Sequence, residues 1–283
     1  MPCGAALRLN PNNDMAHANL GLALRSKRDW AGMITEEREA LRLNPNDADA
    51  HAGLAIALEN KGDWDGAIAE CRKALRLNRE NDMAHLTLGV ALGEKGNQDG
   101  ATVEYREALR LNHNNAEAHY HLGGALGDKH DRNGAIAEFR EALRLNPNLA
   151  EAHVALGVAL AGKGDWDGEI TEEREALRLL SQVPGGDSDP ISAMAHDSLG
   201  LALAVKGVLL ANKGDLDGAI AEEREALRLN PNNAEAHAGL GIALERKGNR
   251  RGAVEEYRAA CRLDPKNAPY KESYERLLKQ MNQ

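Results

Sequence analysis

Histidines are the residues of this chain whose spacing most suggests chemistry. Seven of the ten recur in one local setting, at His17, His51, His85, His119, His153, His196 and His237. The first five are 34 residues apart, and the next two follow after 43 and 41 residues. Imidazole binds zinc and serves as a general base. The row could therefore be a ladder of ligands or one packing residue copied along a repeat.

Geometry favours packing over ligation. Copies on neighbouring helices would stand roughly 8–10 Å apart, the usual distance between packed helices. Two imidazoles share a zinc ion only when both nitrogens lie about 2 Å from it. The row therefore predicts core histidines, each bonded to a nearby backbone or capping group.

The densest polar cluster is the stretch HYHLGGALGDKHDRNG, with His119, His121, Asp128, His130 and Asp131. His119 belongs to the row, His121 lies on another face, and His130 replaces a turn glycine. Opportunistic binding of a transition metal is the alternative to no site at all. The sequence has no glycine-rich phosphate loop, no Cys/His ligand spacing and no serine elbow. We expect no catalytic residue, no cofactor and no metal site.

Composition limits the partners and the compartment. The 283 residues carry a formal charge of −9, which argues against binding a nucleic-acid backbone. No stretch approaches the roughly 20 apolar residues of a membrane span, since LGLALAVKGVLLA is short and contains Lys206. The N-terminus has no basic segment followed by an apolar run. Three distant cysteines imply no disulfide framework. We therefore predict a cytoplasmic protein that does not contact membranes.

The elements that carry the histidines are helices in a repeated pair. In the unit Ala48–Asn81, apolar residues follow the spacing of one helix face, first through AHAGLAIALENKG and then from Ala67 onward. Gly62 supplies a left-handed stop, and Asp63 caps the second helix. Asn or Asp precedes each following helix as its cap, and ALRLNPN recurs before it. Each unit is predicted to be two helices joined by a turn.

This pattern resembles the tetratricopeptide repeat family over nearly the whole chain. A large residue, Leu-Gly and then small residues where the two helices cross recur seven times, with Leu-Ala once. The resemblance implies an all-α, right-handed superhelical solenoid. The small crossing residues are Gly21, Ala55, Gly89, Gly123, Gly157, Gly200 and Gly241 on first helices, and Ala67, Ala101, Ala135, Ala219 and Ala253 on second helices.

The predicted organisation has three parts. Residues 1–13 are a truncated repeat end with only a second helix, 14–267 are seven repeats, and 268–283 are a capping helix. Insertions near 181–192 and 205–211 interrupt the period. The first is predicted to be a loop. The second lengthens a first helix by nearly two turns, with a loop as the alternative.

In the family, one flank of the first helices contributes to a concave surface that holds partner segments. Part of this stripe could instead pack against the next repeat. Acidic residues edge the stripe, so an apolar or basic-amphipathic peptide fits it best. The predicted groove residues are Asn19, Leu22, Ile56, Leu86, Val90, Tyr120, Val154, Val158, Leu201 and Ile242.

Two specificities within the family do not carry over. The carboxylate clamp of chaperone-binding members finds no matching Lys, Asn and Arg here. The chain also resembles the repeat arm of O-linked N-acetylglucosamine transferases, but only Asn19 matches its asparagine ladder. The EEREALR runs of the second helices are interpreted as a solvated face.

The sequence therefore predicts a non-catalytic scaffold that binds a peptide or partner protein. Two alternatives remain: the substrate-recruiting arm of a larger enzyme, and self-assembly. In the second alternative, apolar residues at the N-terminus (Ala5, Leu7 and Leu9) would make end-to-end contacts between copies.

Overall fold

The structure, a computed structural model, describes residues 10–183 and 189–281. These ranges contain fifteen α-helices and no strand. The helices form two compact units that divide after Pro147. The predicted N-terminal contact residues Ala5, Leu7 and Leu9 lie outside the described residues, and so do residues 184–188 of the first insertion.

The first unit consists of four helical hairpins. Its helices are α1 Asp14–Ser26, α2 Trp30–Leu43, α3 Ala48–Asn60, α4 Trp64–Leu77, α5 Asp82–Glu94, α6 Gln98–Leu111, α7 Ala116–Asp128 and α8 Arg132–Leu145. Within this unit, each first helix packs against its hairpin partner and against the first helix of the next hairpin. The result is a helical repeat array, as the sequence predicts.

The second unit contains three hairpins and one further helix. Its helices are α9 Ala150–Ala161, α10 Trp166–Leu180, α11 Pro190–Lys213, α12 Leu216–Leu229, α13 Ala234–Arg246, α14 Arg250–Leu263 and α15 Ala268–Met281. Leu277 of α15 is fully buried in a cluster with Leu240 and Tyr257 of the preceding hairpin. Arg276 beside it donates to Glu245 at 2.8 Å. The last helix therefore covers the apolar side of the seventh hairpin.

Local chemistry explains why each hairpin begins and ends where it does. The predicted side-chain caps are confirmed: Asp47 accepts from the Ala50 amide of α3, and Asp63 accepts from the Gly66 amide of α4. Between the two helices, Gly62 has φ +76°, a conformation that glycine adopts at little cost. Arg28 and His130 occupy the same turn position with φ of 56° and 63°.

Small residues hold the helices of a hairpin close together. The predicted crossing alanines of the second helices are almost completely buried, as Ala67 and Ala101 show with no exposed surface. Opposite them, a Cβ atom at Gly89 would overlap the ring of Tyr105, and one at Gly123 would overlap the ring of Phe139. The first helix therefore needs glycine wherever the second helix presents a large side chain.

The sixth hairpin corrects the predicted register. Its first helix, α11, has 24 residues, so the predicted lengthening is correct and the loop alternative is wrong. The crossing residue, however, is Gly207 and not Gly200. A Cβ at Gly207 would lie 2.6 Å from the Glu223 carboxylate, whereas nothing lies within 4 Å of one at Gly200. Gly207 precedes the cap Asp215 by the same distance as the other crossing residues precede theirs.

The first insertion also differs from the prediction. The loop expected over 181–192 is shorter, because Asp189 caps a helix that begins at Pro190. Proline suits the first turn of a helix, where its missing N–H leaves no bond unmade. The first turns of α11 pack Ile191 and Ala195 against Val154.

Helix α11 also overturns the expectation that no segment approaches a membrane span. Within the part of the chain that the structure describes, it is the one helix long and apolar enough to cross a bilayer, with 39% of its most apolar window buried in the protein. Length and composition alone do not distinguish a membrane-spanning helix from a helix that is buried in a protein core. In this fold, Ala202, Leu203 and Ala204 of α11 lie in the core.

Candidate functional site

Six of the seven histidines bond to a glutamate within their hairpins. In each pair, Nδ1 lies 2.6 Å from a carboxylate oxygen of the second helix, nineteen residues further on. The pairs are His17–Glu36, His51–Glu70, His85–Glu104, His119–Glu138, His153–Glu172 and His237–Glu256. The glutamate lies at a constant spacing from the histidine in the sequence, but the helix pattern alone does not indicate that the two pair.

The second ring nitrogen bonds to the backbone, as predicted. Nε2 of His51 lies 3.1 Å from the Pro45 carbonyl, and Nε2 of His85 lies 3.2 Å from that of Arg79. A carboxylate and a carbonyl only accept hydrogen bonds, so a ring that satisfies both must carry two N–H groups. Burial lowers the pKa of His85, but the hydrogen bonds to Glu104 and Arg79 raise it above the ordinary value of 6.5. Such rings link the second helix of a hairpin to the loop that precedes its first helix.

His196 does not belong to this row. Its Nδ1 donates to the Ser192 carbonyl at 2.8 Å instead of to a glutamate of the second helix. The expected shared register is wrong here, because two extra turns of α11 separate His196 from its hairpin crossing. Leu203 takes the equivalent place four residues before Gly207 and is completely buried.

The histidine-rich stretch of α7 does not assemble a metal centre. His121 stacks on Tyr105 with ring centroids 5.5 Å apart, and burial lowers its pKa to about 4. His130 lies in the following turn. Across residues 10–183 and 189–281, no group of three or more His, Cys, Asp or Glu side chains is arranged to hold a metal ion.

In each EEREALR run of the second helices the second glutamate is buried, which corrects the interpretation of these runs as solvated. Glu37 is 2% exposed, and Glu173 and Glu223 have no exposed surface. Burial raises the pKa of Glu37 and Glu173 to about 8 and that of Glu223 to about 9. Each takes the place that Cys71, Tyr105, Phe139 or Tyr257 takes in the other hairpins. Only the shared register could have revealed them.

The first unit has an open groove of about 680 Å³ across its first helices. Four predicted groove residues line it: Leu22, Ile56, Leu86 and Val90. Leu22 is 55% exposed, whereas Ile56 and Leu86 form a nearly covered floor. The other lining residues are Arg25, Ser26, Arg28, Trp30, Glu59, Asn60, Met83, Thr87 and Glu117.

The remaining predicted groove residues lie elsewhere. Asn19 is exposed but does not line the groove, and Tyr120 packs on Phe139 at 6.1 Å between ring centroids. In the second unit, Val158 and Leu201 are about half exposed, while Ile242 packs at the edge of the core. Val154 lies in the core with Ala176 and Ala195, because the extended α11 covers it.

One carboxyl gives the groove its electrostatic character. Burial raises the pKa of Glu59 to about 7, and the nearby charge of Glu117 adds to this effect, while Arg25 opposes it. Among the described residues, no hydrogen bond or ion pair to the Glu59 carboxyl is present. The groove thus combines an apolar floor with an unpaired acidic group.

Family models for tetratricopeptide repeats match well over half of the sequence. A model described as TPR repeat matches residues 91–129, 131–164 and 207–248. Two further tetratricopeptide repeat models match residues 38–82 and 234–267. The chain belongs to the tetratricopeptide repeat family. Arrays of this repeat are generally scaffolds for protein–protein interaction.

Solved structures of tetratricopeptide repeat proteins share the fold. The chain aligns with the APC/C hetero-tetramer Cut9–Hcn1 at 17% identity and a TM-score of 0.59, covering 98% of this chain and 51% of that one. The chain therefore spans about half the length of that protein.

Two bacterial proteins align over nearly their whole length. PilF of Pseudomonas aeruginosa is 22% identical with a TM-score of 0.57, covering 83% of this chain and 97% of that one. TTC0263 of Thermus thermophilus is 21% identical with a TM-score of 0.56, covering 66% and 99%. Identities this low show the fold alone. No curated protein sequence matches the chain.

Proposed function

We propose that this protein is a non-catalytic scaffold that holds a peptide or partner protein segment in the groove of its first unit. The open groove of about 680 Å³ carries the proposal, since it exposes apolar side chains on adjacent helices. Leu22 projects from α1, and Val90 lies on α5 across the groove. Apolar anchors at such spacing suit an extended or helical segment.

The groove chemistry favours an apolar segment that carries basic residues. Glu59 and Glu117 line one part of the groove, and a lysine or arginine placed there would compensate their charges. Arg25 and Arg28 also line the groove, so an acidic residue of the partner would fit beside them. The bound segment is therefore amphipathic, with its basic residue opposite Glu59.

The proposed scaffold acts in the cytoplasm on proteins and not on nucleic acids. The formal charge of −9 opposes contact with phosphates. Cys71 and Cys261 are free thiols, and burial raises the pKa of the Cys71 thiol, which keeps it unreactive. A reducing compartment suits both residues.

Selection from a displayed library of random 15-residue peptides tests the proposal. We expect enriched peptides to bind the intact protein, and Leu22→Glu to weaken their binding about tenfold or more, since it places a charge against an apolar anchor. Fluorescence anisotropy with a labelled enriched peptide gives the Kd.

Val103→Glu is the matched control. Val103 is 62% exposed on the second helix α6 and does not line the groove. We expect this variant to bind like the unmodified protein, with both variants unchanged in helix content by circular dichroism. Equal binding by Leu22→Glu would refute the groove as the site. A requirement for another domain would favour the alternative function, the recruiting arm of a larger enzyme.

A further inference from the structure

Two of the buried glutamates lie between glycines of consecutive first helices. A Cβ at Gly53 of α3 would come within 2.7 Å of the Glu37 carboxylate, and one at Gly21 of α1 would overlap it. Glu223 lies in the same way between Gly207 of α11 and Gly239 of α13. Each carboxyl therefore fills the space where two neighbouring first helices meet.

Neither carboxyl has a partner that would stabilise its ionised form. Oε2 of Glu37 and both oxygens of Glu223 are buried with no hydrogen-bond partner among the described residues. The charged groups that face Glu37 are Asp47 and Glu36, and Glu235 faces Glu223. All three are acidic. A buried carboxyl in such surroundings packs well as the neutral acid and poorly as the anion.

We propose that Glu37 and Glu223 are proton-dependent latches between consecutive first helices. The neutral carboxyl allows α1 to pack against α3, and α11 against α13. Loss of the proton leaves a buried, unpaired anion, which is relieved only when water enters between the two helices. The first latch also regulates the groove, because Leu22 lies on α1 and Ile56 on α3; this part rests on the proposed function.

The pH at which the latches open follows from their proton affinities. The pKa of Glu37 is raised from 4.5 to about 8, and that of Glu223 to about 9. The folded protein therefore holds protons that the unfolded chain releases. The stabilisation is complete below pH 4.5, falls progressively as the pH rises above that value, and is lost once the pH has passed about 8 to 9.

Urea unfolding of the full chain between pH 5 and pH 9 tests the latches, with Glu37→Gln and Glu223→Gln as variants. Glutamine has nearly the shape of the neutral acid but cannot ionise. We expect each variant to match the unmodified protein at pH 5. Above pH 5, the ratio of the folding equilibrium constant of the variant to that of the unmodified protein should rise about tenfold per pH unit. The rise should stop at the pKa of the replaced glutamate.

Glu39→Gln is the control, because Glu39 is an exposed partner of Arg42 on the same helix. The difference in free energy of unfolding between Glu39→Gln and the unmodified protein should not change between pH 6 and pH 9. Should a glutamine variant fail to fold, Glu37→Met and Glu223→Met supply uncharged side chains of similar length. If the free energy of unfolding changes with pH in the same way in the unmodified protein and in these variants, the proposal is overturned.

Amide hydrogen exchange at pH 9 locates the opening. We expect faster exchange in α1 and α3 of the unmodified protein than of Glu37→Gln, compared at one pH so that intrinsic rates cancel. Uniform exchange would contradict a local latch. Groove binding should weaken with rising pH in the unmodified protein and not in Glu37→Gln. If no peptide binds at any pH, the proposed function fails while the unfolding and exchange results still decide the latch.

Discussion

At the residue scale, identical side chains on one helix have three different roles. In the run that begins at Glu36, the first glutamate pairs with His17 at 2.6 Å. Glu37, one residue on, is buried in the core. Glu39 pairs with Arg42 on the exposed face, as the sequence predicts. Each step along an α-helix turns the side chain by about 100°. Position on the helix face therefore decides whether a glutamate bonds to a histidine, is buried or faces solvent.

The surroundings of His85 and His121 predict two different titrations. In a two-dimensional NMR titration, His85 should have a pKa above 6.5, because Glu104 and the Arg79 carbonyl both accept from its ring. His121 should titrate near pH 4 because burial opposes its charged form. Glu104→Gln should bring the pKa of His85 below 6.5, since burial would then act with less opposition.

The same pair links stability to pH. Because the folded pKa of His85 is raised, its contribution is present below pH 6.5 and is lost as the pH rises above that value. Glu94→Gln provides the control, since Glu94 is exposed and has no contact with His85. An unchanged pKa of His85 in Glu104→Gln would show that the bond to Glu104 does not raise it.

At the scale of the element, the turn of a hairpin sets the register of its first helix. Spacing counted forward from His196 points to Gly200 as the crossing residue. Spacing counted back from the cap Asp215 points to Gly207, and the structure agrees with the second count. The two extra turns lie before the crossing, so α11 also packs against the fifth hairpin through Ile191.

Two alanine substitutions on α11 distinguish the register with Gly207 at the crossing from the register with Gly200 there. Gly207→Ala should destabilise the protein by about 1–3 kcal/mol, because the added Cβ would displace the completely buried Glu223. Gly200→Ala should stabilise it by about 0.5–1 kcal/mol, since it meets open space and alanine favours the helix. Urea denaturation at pH 6 gives both values. Equal effects of the two substitutions on the free energy of unfolding would contradict Gly207 as the crossing residue.

The sequence predicts the repeated element well and its exceptions poorly. The 34-residue period fixes the caps and the turn glycines because each depends on a few adjacent residues, as at Asp63 and Gly62. Glu173 is buried because of packing between helices, whereas glutamate as a residue type predicts a side chain exposed to solvent. The prediction of Val154 as a groove residue is wrong because the sequence does not show that α11 begins early enough to cover it.

At the scale of the whole molecule, hairpins depend on their neighbours, so a defect should spread only locally. Leu277→Ala in α15 tests this, because Leu277 is completely buried against the seventh hairpin. We expect a loss of about 2–5 kcal/mol in the local free energy of unfolding. In hydrogen exchange, α13 and α14 should lose protection while α9 and α10 keep theirs.

Met281→Ala is the comparison, since Met281 is 40% exposed at the end of the same helix and should change little. A local loss would mean that stability is a sum of hairpins and of the contacts between successive hairpins. Each latch glutamate could then open its own junction while distant hairpins stay folded. If Leu277→Ala instead exposes α9 and α10 equally, the second unit unfolds as one cooperative body, and the charge on Glu223 would destabilise all of it together.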